Sequence, residues 1–353
     1  MAAKNGGRYV VSEIQNDLTA PARHSSDYKI IATLSGHALQ PNRGIGLNLD
    51  WVEEVRVNTS AVERRAQTLV TRRTVKKEWQ AAWLLRAITC MDLTTLSGDD
   101  TDERVRRLCA KARRPIRHDL EKQLGVEELG IRVAAVCVYH TFVETALRAL
   151  EGSGIRVAAV SAGFPAGLSP LEERVAEIRR SVESGAQEID VVITRAQVLG
   201  GEWQALYDNV ATFKLACGPA HMKVILGTGD LLTLRNVARA SVVAMMAGAD
   251  FIKTSTGKEA VNATLPVGLV MTRAIREYAQ ETGMAVGFKP AGGIRTAKQS
   301  LEWLSLMKEE LGPSWLNAEL FRFGASGMLA DIERQLEHHA TGRYSAEYRH
   351  PIA

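Results

Sequence analysis

"IRVAAVSAGFPAGLSPLEERVAEIRRSVESGAQEIDVVIT", residues 155–194, reads as a strand, a helix and a second strand. The first run, 155–165, is rich in Val and Ala and lacks polar alternation, as expected when both faces of a strand are covered. Ser169 then fits an N-cap, Pro170 a first-turn residue and Gly185 a stop. The second apolar run, 188–194, follows at once. Working outward, the same rhythm recurs: 87–96, 131–140, 221–229, 249–256, 284–293 and 320–326 read as strands, each followed by a helical run. Val270, Ala274 and Tyr278 share one helix face, as do Leu301, Leu304 and Met307. Eight strand–helix units of roughly 30 residues predict an α/β fold, a (β/α)8 TIM barrel. The competing open, doubly wound sheet lacks its GxGxxG signature here.

The rest of the chain is read as appendages. Residues 1–80 form an N-terminal extension, 81–340 the barrel and 341–353 a tail. Residues 1–48 mix Gly, Asn, Ser and Pro with the patches "YVV" and "YKIIATL", which suggests partial order. Residues 49–83 are expected to be mostly helical. Arg64, Arg65, Arg72, Arg73, Lys76 and Lys77 make a basic run there, either a solvated helix face or a contact for a polyanion or partner.

Composition narrows the function. The chain has 353 residues, 46% hydrophobic and 24% charged, with a formal charge of +4. That mild excess suits a small anionic ligand, and no nucleic-acid partner is expected. Cys90, Cys109, Cys137 and Cys217 form no CxxC pair and no zinc spacing, which favours a reducing compartment, read as cytoplasmic. No run of 18 apolar residues occurs, so no membrane partner is expected. The first residues lack a secretory core, and Glu13 and Asp17 argue against a transit peptide.

Charged residues fall near the C-terminal ends of the strands, where barrel sites are built. Asp92, Thr94 and Thr95 end the first strand, and Cys137, Tyr139 and His140 the second. Asp190 lies in the fourth, Lys253 ends the sixth and Lys289 the seventh. A lysine attacks only as the neutral amine, which desolvation or a second cation favours. Lys253 beside Lys289 would meet both conditions. The amine could then form an iminium ion with an aldehyde, and Asp190 could move a substrate proton. The bland alternative is a structural bridge between Asp190 and one lysine. Nothing in this chemistry calls for a metal or cofactor. Gly257, Gly292, Gly293 and Gly324 lie in the last three strand–helix loops and allow close backbone approach to an anion such as phosphate. Cys137 is either a small buried filler or a thiol open to aldehyde adducts.

"MDLTTLSGDDT", "AAVCVYH", "EIDVVI", "DFIKTSTGK", "VGFKPAGGIR" and "LFRFGAS", in that order over about residues 70–345, make the chain resemble the class I deoxyribose-phosphate aldolases, in their animal-type branch. The resemblance implies reversible cleavage of 2-deoxy-D-ribose 5-phosphate to D-glyceraldehyde 3-phosphate and acetaldehyde. It implies Lys253 as the Schiff-base residue, Lys289 as the group that tunes it, Asp190 in proton transfer and Asp92 in the supporting network. The substrate and phosphate site it implies comprises Thr256, Gly257, Lys258, Gly292, Gly293, Ile294, Arg295, Gly324 and Ser326, with Thr94, Cys137 and Thr194 as mouth residues. It implies no cofactor, a phosphorylated sugar and aldehydes as ligands, and a homo-oligomer. Four positions depart from the family pattern: His140 for Pro, Thr194 for Asn, Asp230 for Glu, and Gly327 for Ser or Thr. A phosphosugar-binding protein without catalysis, or another Schiff-base enzyme such as a transaldolase, remains an alternative.

Overall fold

Short parallel strands take up the Val- and Ala-rich runs: β1 Met91–Thr94, β2 Ala135–Tyr139, β3 Arg156–Ser161, β4 Glu188–Val192, β5 His221–Ile225, β6 Phe251–Lys253, β7 Gly287–Lys289 and β8 Phe323–Ala325. The structure, a computed structural model, describes residues 32–34, 37–72, 75 and 77–350. The strand order is β7-β6-β5-β4-β3-β2-β1-β8. Parallel bridges Phe288–Phe321 and Ala291–Gly324 join β7 to β8 and close the ring. This is the (β/α)8 barrel, carrying extra N-terminal elements.

The helices are α1 Leu49–Glu54, α2 Thr59–Arg72 and α3 Lys77–Thr89 before the barrel, then α4 Asp102–Arg113, α5 His118–Leu124, α6 Val143–Leu150, α7 Leu171–Glu183, α8 Arg195–Gly200, α9 Trp203–Cys217, α10 Leu234–Met246, α11 Leu265–Thr282, α12 Ala297–Glu310 and α13 Gly327–Thr341. Strand residues such as Ile189, Val191, Val224, Ile252 and Phe288 are fully buried in the core cluster that the helices share.

Several boundaries move. Residues 87–89, expected in the first strand, end α3, with Ala87 and Ile88 fully buried on it. A short apolar run looks alike in a buried helix and a buried strand. Pro170, not Ser169, is the N-cap of α7 and makes no side-chain cap bond, whereas Gly185 takes φ 97° and ends the helix as expected. The 284–293 run divides: Met284–Ala285 pairs in parallel with Gln40–Pro41 before β7 begins.

That pairing ties the N-terminal segment to the barrel wall. Asn42, buried, donates to the carbonyls of Met245 (2.9 Å) and Ala249 (2.8 Å) and accepts from the Tyr278 hydroxyl (3.0 Å). Trp51 stacks on Tyr278. In the basic run, Arg65 pairs with Glu309 on α12. Arg73 and Lys76, like the patch "YVV", lie outside the described residues.

Candidate active site

Alternation along β4 turns Glu188 and Asp190, two residues apart, to the same side of the sheet. Register sets Asp190 beside Lys223 of β5, and Lys253 of β6 beside Lys289 of β7. Asp92 of β1 lies next to Gly324 of β8. The barrel interior at this level is therefore ionic, and all of these charged side chains are buried.

Asp190 is the hub. Its Oδ2 accepts from Lys253 Nζ (2.7 Å) and from Lys289 Nζ (2.8 Å), while Oδ1 accepts from Lys223 Nζ (3.0 Å). Lys289 also donates to Asp92. A deeper layer continues the chain. Arg322 donates to Asp92 Oδ1 (2.5 Å) and to both oxygens of Glu188 (3.1 and 2.7 Å). Lys223 bonds Glu188 Oε2 at 2.5 Å. Arg156, at the edge, links Glu188 (3.1 Å) to Glu319 (2.9 Å).

The electrostatics follow from this pairing. Burial by itself would push the Asp190 carboxyl up, but Lys223, Lys253 and Lys289 outweigh it and hold the group well below the usual carboxylate range. Burial likewise opposes the charge on Asp92, and Arg322 and Lys289 overcome it, so its carboxyl is lowered. For Lys289, desolvation favours the neutral amine, yet Asp190 and Asp92 win and hold its proton above the ordinary lysine range. Lys223 is raised in the same way, against desolvation, by Asp190 and Glu188.

The structure thus brings Lys253, Lys289, Asp190 and Asp92 together. Sequence reading missed Lys223, Glu188 and Arg322. Their signal was present, because each is a charge inside an apolar run, in "HMKVIL", "EIDVV" and "LFRFG". Cys137 is fully buried, and burial pushes its thiol up. It packs with Ala158 and Val160, flanked by Leu96, Tyr139 and Phe164, as a small apolar wall. Thr94 turns its hydroxyl back to the Asp92 carbonyl (2.8 Å). Thr194 accepts from Arg174 Nη1 (2.8 Å) and donates to the Gly167 carbonyl (2.9 Å), so it braces the loop. His140 faces Glu177 at 3.6 Å on the rim.

The glycine-rich loops differ from one another. Gly257, Gly292 and Gly293 have φ of 88°, 80° and 80°, the region glycine favours. Gly324 has another reason to be glycine. Its N–H donates to the Pro290 carbonyl (2.9 Å), and a Cβ there would sit 2.7 Å from Ala291 Cβ and 3.3 Å from Lys289 Cε. Gly324 therefore makes room for the lysine and offers no free amide. The Gly292 N–H leans on the Gly324 carbonyl at 3.4 Å. Among the described residues, the N–H groups of Gly293, Ile294 and Ser326 have no protein acceptor. Ile294 buries its side chain and anchors that loop, and Ser326 stands at the N-cap of α13 without a side-chain cap bond. Lys258 and Arg295 are exposed. The Thr256 and Gly257 amides are already taken by the Glu259 carboxylate, at 3.0 and 3.1 Å, together with the Thr256 hydroxyl at 2.8 Å.

Comparison with known proteins agrees with this architecture. Residues 86–326, which include every barrel strand, match the DeoC/LacD family of aldolases. The human deoxyribose-phosphate aldolase is 60% identical over 314 residues, 88% of this chain and 99% of that protein. The mouse deoxyribose-phosphate aldolase is 61% identical, over 88% of this chain and 98% of its own length. The solved deoxyribose phosphate aldolase of Aeropyrum pernix superposes with a TM-score of 0.53 at 24% identity, covering 79% of this chain and 99% of that one, which bears on the fold alone. Family match and animal relatives extend over the same barrel that holds the lysine pair, and the chain belongs to the DeoC/LacD family of aldolases.

Proposed function

We propose that this chain is a carbon–carbon lyase that reversibly cleaves 2-deoxy-D-ribose 5-phosphate to D-glyceraldehyde 3-phosphate and acetaldehyde. The human and mouse relatives, named for deoxyribose phosphate, support this substrate. The observation that carries the chemistry is the pair of lysine nitrogens on one oxygen of Asp190. Lys289 keeps its proton and serves as the fixed cation. Lys253, whose contact is to Asp190, is the nucleophile.

In the forward direction the neutral Lys253 amine attacks the substrate C1 aldehyde, and loss of water gives an iminium ion. Asp190, held ionised, accepts the proton of the C3 hydroxyl, directly or through water. The C2–C3 bond breaks, its electron pair moves into the enamine, and glyceraldehyde 3-phosphate leaves. Protonation at C2 and addition of water release acetaldehyde and restore the amine. Asp92 holds Lys289 in place. The small apolar wall of Cys137, Ala158 and Val160 suits the two-carbon fragment. The amides of Gly293 and Ile294, the Ser326 group and the exposed Lys258 and Arg295 are assigned to the 5-phosphate, with Thr256, Gly257 and Gly292 shaping that pocket and Gly324 spacing Lys289. Mouth roles at Thr94 and Thr194 are through the backbone contacts they brace.

We extend the reading to a cytoplasmic homo-oligomer. All four cysteines are free and buried, which suits a reducing compartment, and the Aeropyrum relative is described as tetrameric. No helix of the described residues is long and apolar enough to cross a membrane.

Reaction with deoxyribose phosphate or acetaldehyde under borohydride, followed by peptide mapping, is expected to place a reduced adduct on Lys253. Asp190→Asn is expected to lower kcat about 10²–10⁴-fold. An adduct on Lys289 alone, or near-native turnover in Asp190→Asn, would reverse these assignments.

A further inference from the structure

We propose that Arg322 and Glu188 are positioning residues that decide, through the charge count of the barrel interior, which lysine gives up its proton. The inference rests on Lys253 being the covalent residue. Four cations are buried in one connected network: Lys223, Lys253, Lys289 and Arg322. They face three buried carboxylates, Asp92, Glu188 and Asp190. The Arg156–Glu319 pair at the edge is neutral as a unit and partly exposed, at 27% and 42% of its side chains. Cys137, the remaining titratable group against the lysines, keeps its proton because it is buried. Fully protonated, the interior would hold one uncompensated positive charge, which a low-dielectric site relieves by losing a proton.

Arginine cannot supply that proton, since its guanidinium stays charged. Lys223 is held by two carboxylates, Glu188 and Asp190, with Asp92 at 4.0 Å. Lys289 is held by Asp92 and Asp190. Lys253 touches Asp190 alone among the carboxylates of the described residues, and it shares that oxygen with Lys289. The surplus is therefore relieved at Lys253. Lys223 and Lys289 each face two carboxylates and are held toward the charged form. Arg322, from a layer below the substrate, acts by locking two of the three carboxylates, Asp92 and Glu188, with a charge that cannot titrate.

A count of this kind makes opposite predictions for opposite charges. Replacing Arg322 by Met removes a cation, equalises the count and favours protonated Lys253. Replacing Glu188 by Gln removes an anion and favours the neutral amine. The readout is the rate of iminium formation with acetaldehyde, trapped by cyanoborohydride across pH 5 to 10, with the parent adduct mapped by mass. The rate rises with pH as the amine loses its proton. Arg322→Met should move that limb up by about one pH unit, and Glu188→Gln should move it down by a similar amount. Arg322→Lys should leave it in place. A purely structural role would lower rates in both variants without moving the limbs apart. An adduct at Lys253 with limbs that stay fixed or move the same way overturns this inference alone, whereas a parent adduct elsewhere overturns the covalent assignment and this inference with it. Should Arg322→Met fail to fold, Glu188→Gln decides: a lowered limb supports the inference, and an unmoved or raised one rejects it.

Discussion

Glu259 occupies donors that border the proposed phosphate pocket. Its carboxylate accepts from the Thr256 and Gly257 amides and the Thr256 hydroxyl, so a phosphate that uses these donors has to displace it. Hydrogen bonds to a charged group contribute about 1.5–3 kcal/mol each way, and the exchange nets to less. Glu259→Ala is expected to lower KM for the phosphorylated sugar about fivefold and to tighten inhibition by inorganic phosphate, with free 2-deoxyribose unaffected. The gain should persist near 1 M salt, where a mere loss of repulsion is screened within about 3 Å. A KM that is unchanged or higher would mean that Glu259 shapes the loop and does not compete for its donors. The same scale shows what a sequence displays and what it hides. Lys253, Lys289, Asp190 and Asp92 stand out because a charge in or at the end of an apolar strand costs free energy to bury. Lys223 and Glu188 carry the same cost, but one sits mid-strand and the other at a strand's first residue, where only register across neighbouring strands reveals a partner. Glu259 gives no such signal, since an acidic residue in a loop is ordinary.

Elements were legible where two independent signals coincided. The β3–α7–β4 unit joins an apolar run, a Pro start and a Gly stop, and its helix is displaced from expectation by the single residue at Pro170. The end of α3 was not legible, because Ala87 and Ile88 are buried on a helix as completely as a strand would bury them. The pairing of Gln40–Pro41 with Met284–Ala285 was invisible, since two residues carry no periodicity and their partner lies over 240 positions away. Asn42 is what makes that segment part of the fold. Its removal leaves the Met245 and Ala249 carbonyls and the Tyr278 hydroxyl without this partner. Asn42→Ala is expected to destabilise by about 2–4 kcal/mol, seen as a Tm lower by roughly 5–10 °C. Because these contacts face α10 and α11 on the outside of the barrel, kcat and KM should hold at temperatures where the variant is folded. An unchanged Tm would show that the segment rests on the barrel without bracing it.

The molecule as a whole stores much of its pH response in the ionic interior. The folded carboxyls of Asp92, Glu188 and Asp190 lie below their ordinary values, because the surrounding cations outweigh the cost of burial. Unfolded, the same groups titrate near pH 4. Their contribution is therefore complete above about pH 4 and is lost as pH falls through the lowered folded values. Lys223 and Lys289 are raised, so their contribution is complete below about pH 10 and is lost only as pH rises through the folded values. Between those limits these five groups add no slope. His221 and His350 do, because burial disfavours their charged forms in the folded chain. Unfolded, they bind protons near pH 6.5, so the folded state loses stability as pH falls below that point. Urea midpoints are expected to decline gently from about pH 6.5 toward 5, and to collapse below about 4. The double variant His221→Gln, His350→Gln should flatten the gentle decline and leave the collapse in place. A steep fall already above pH 5 in that variant would mean that the buried carboxylates take up protons earlier than their cation partners allow.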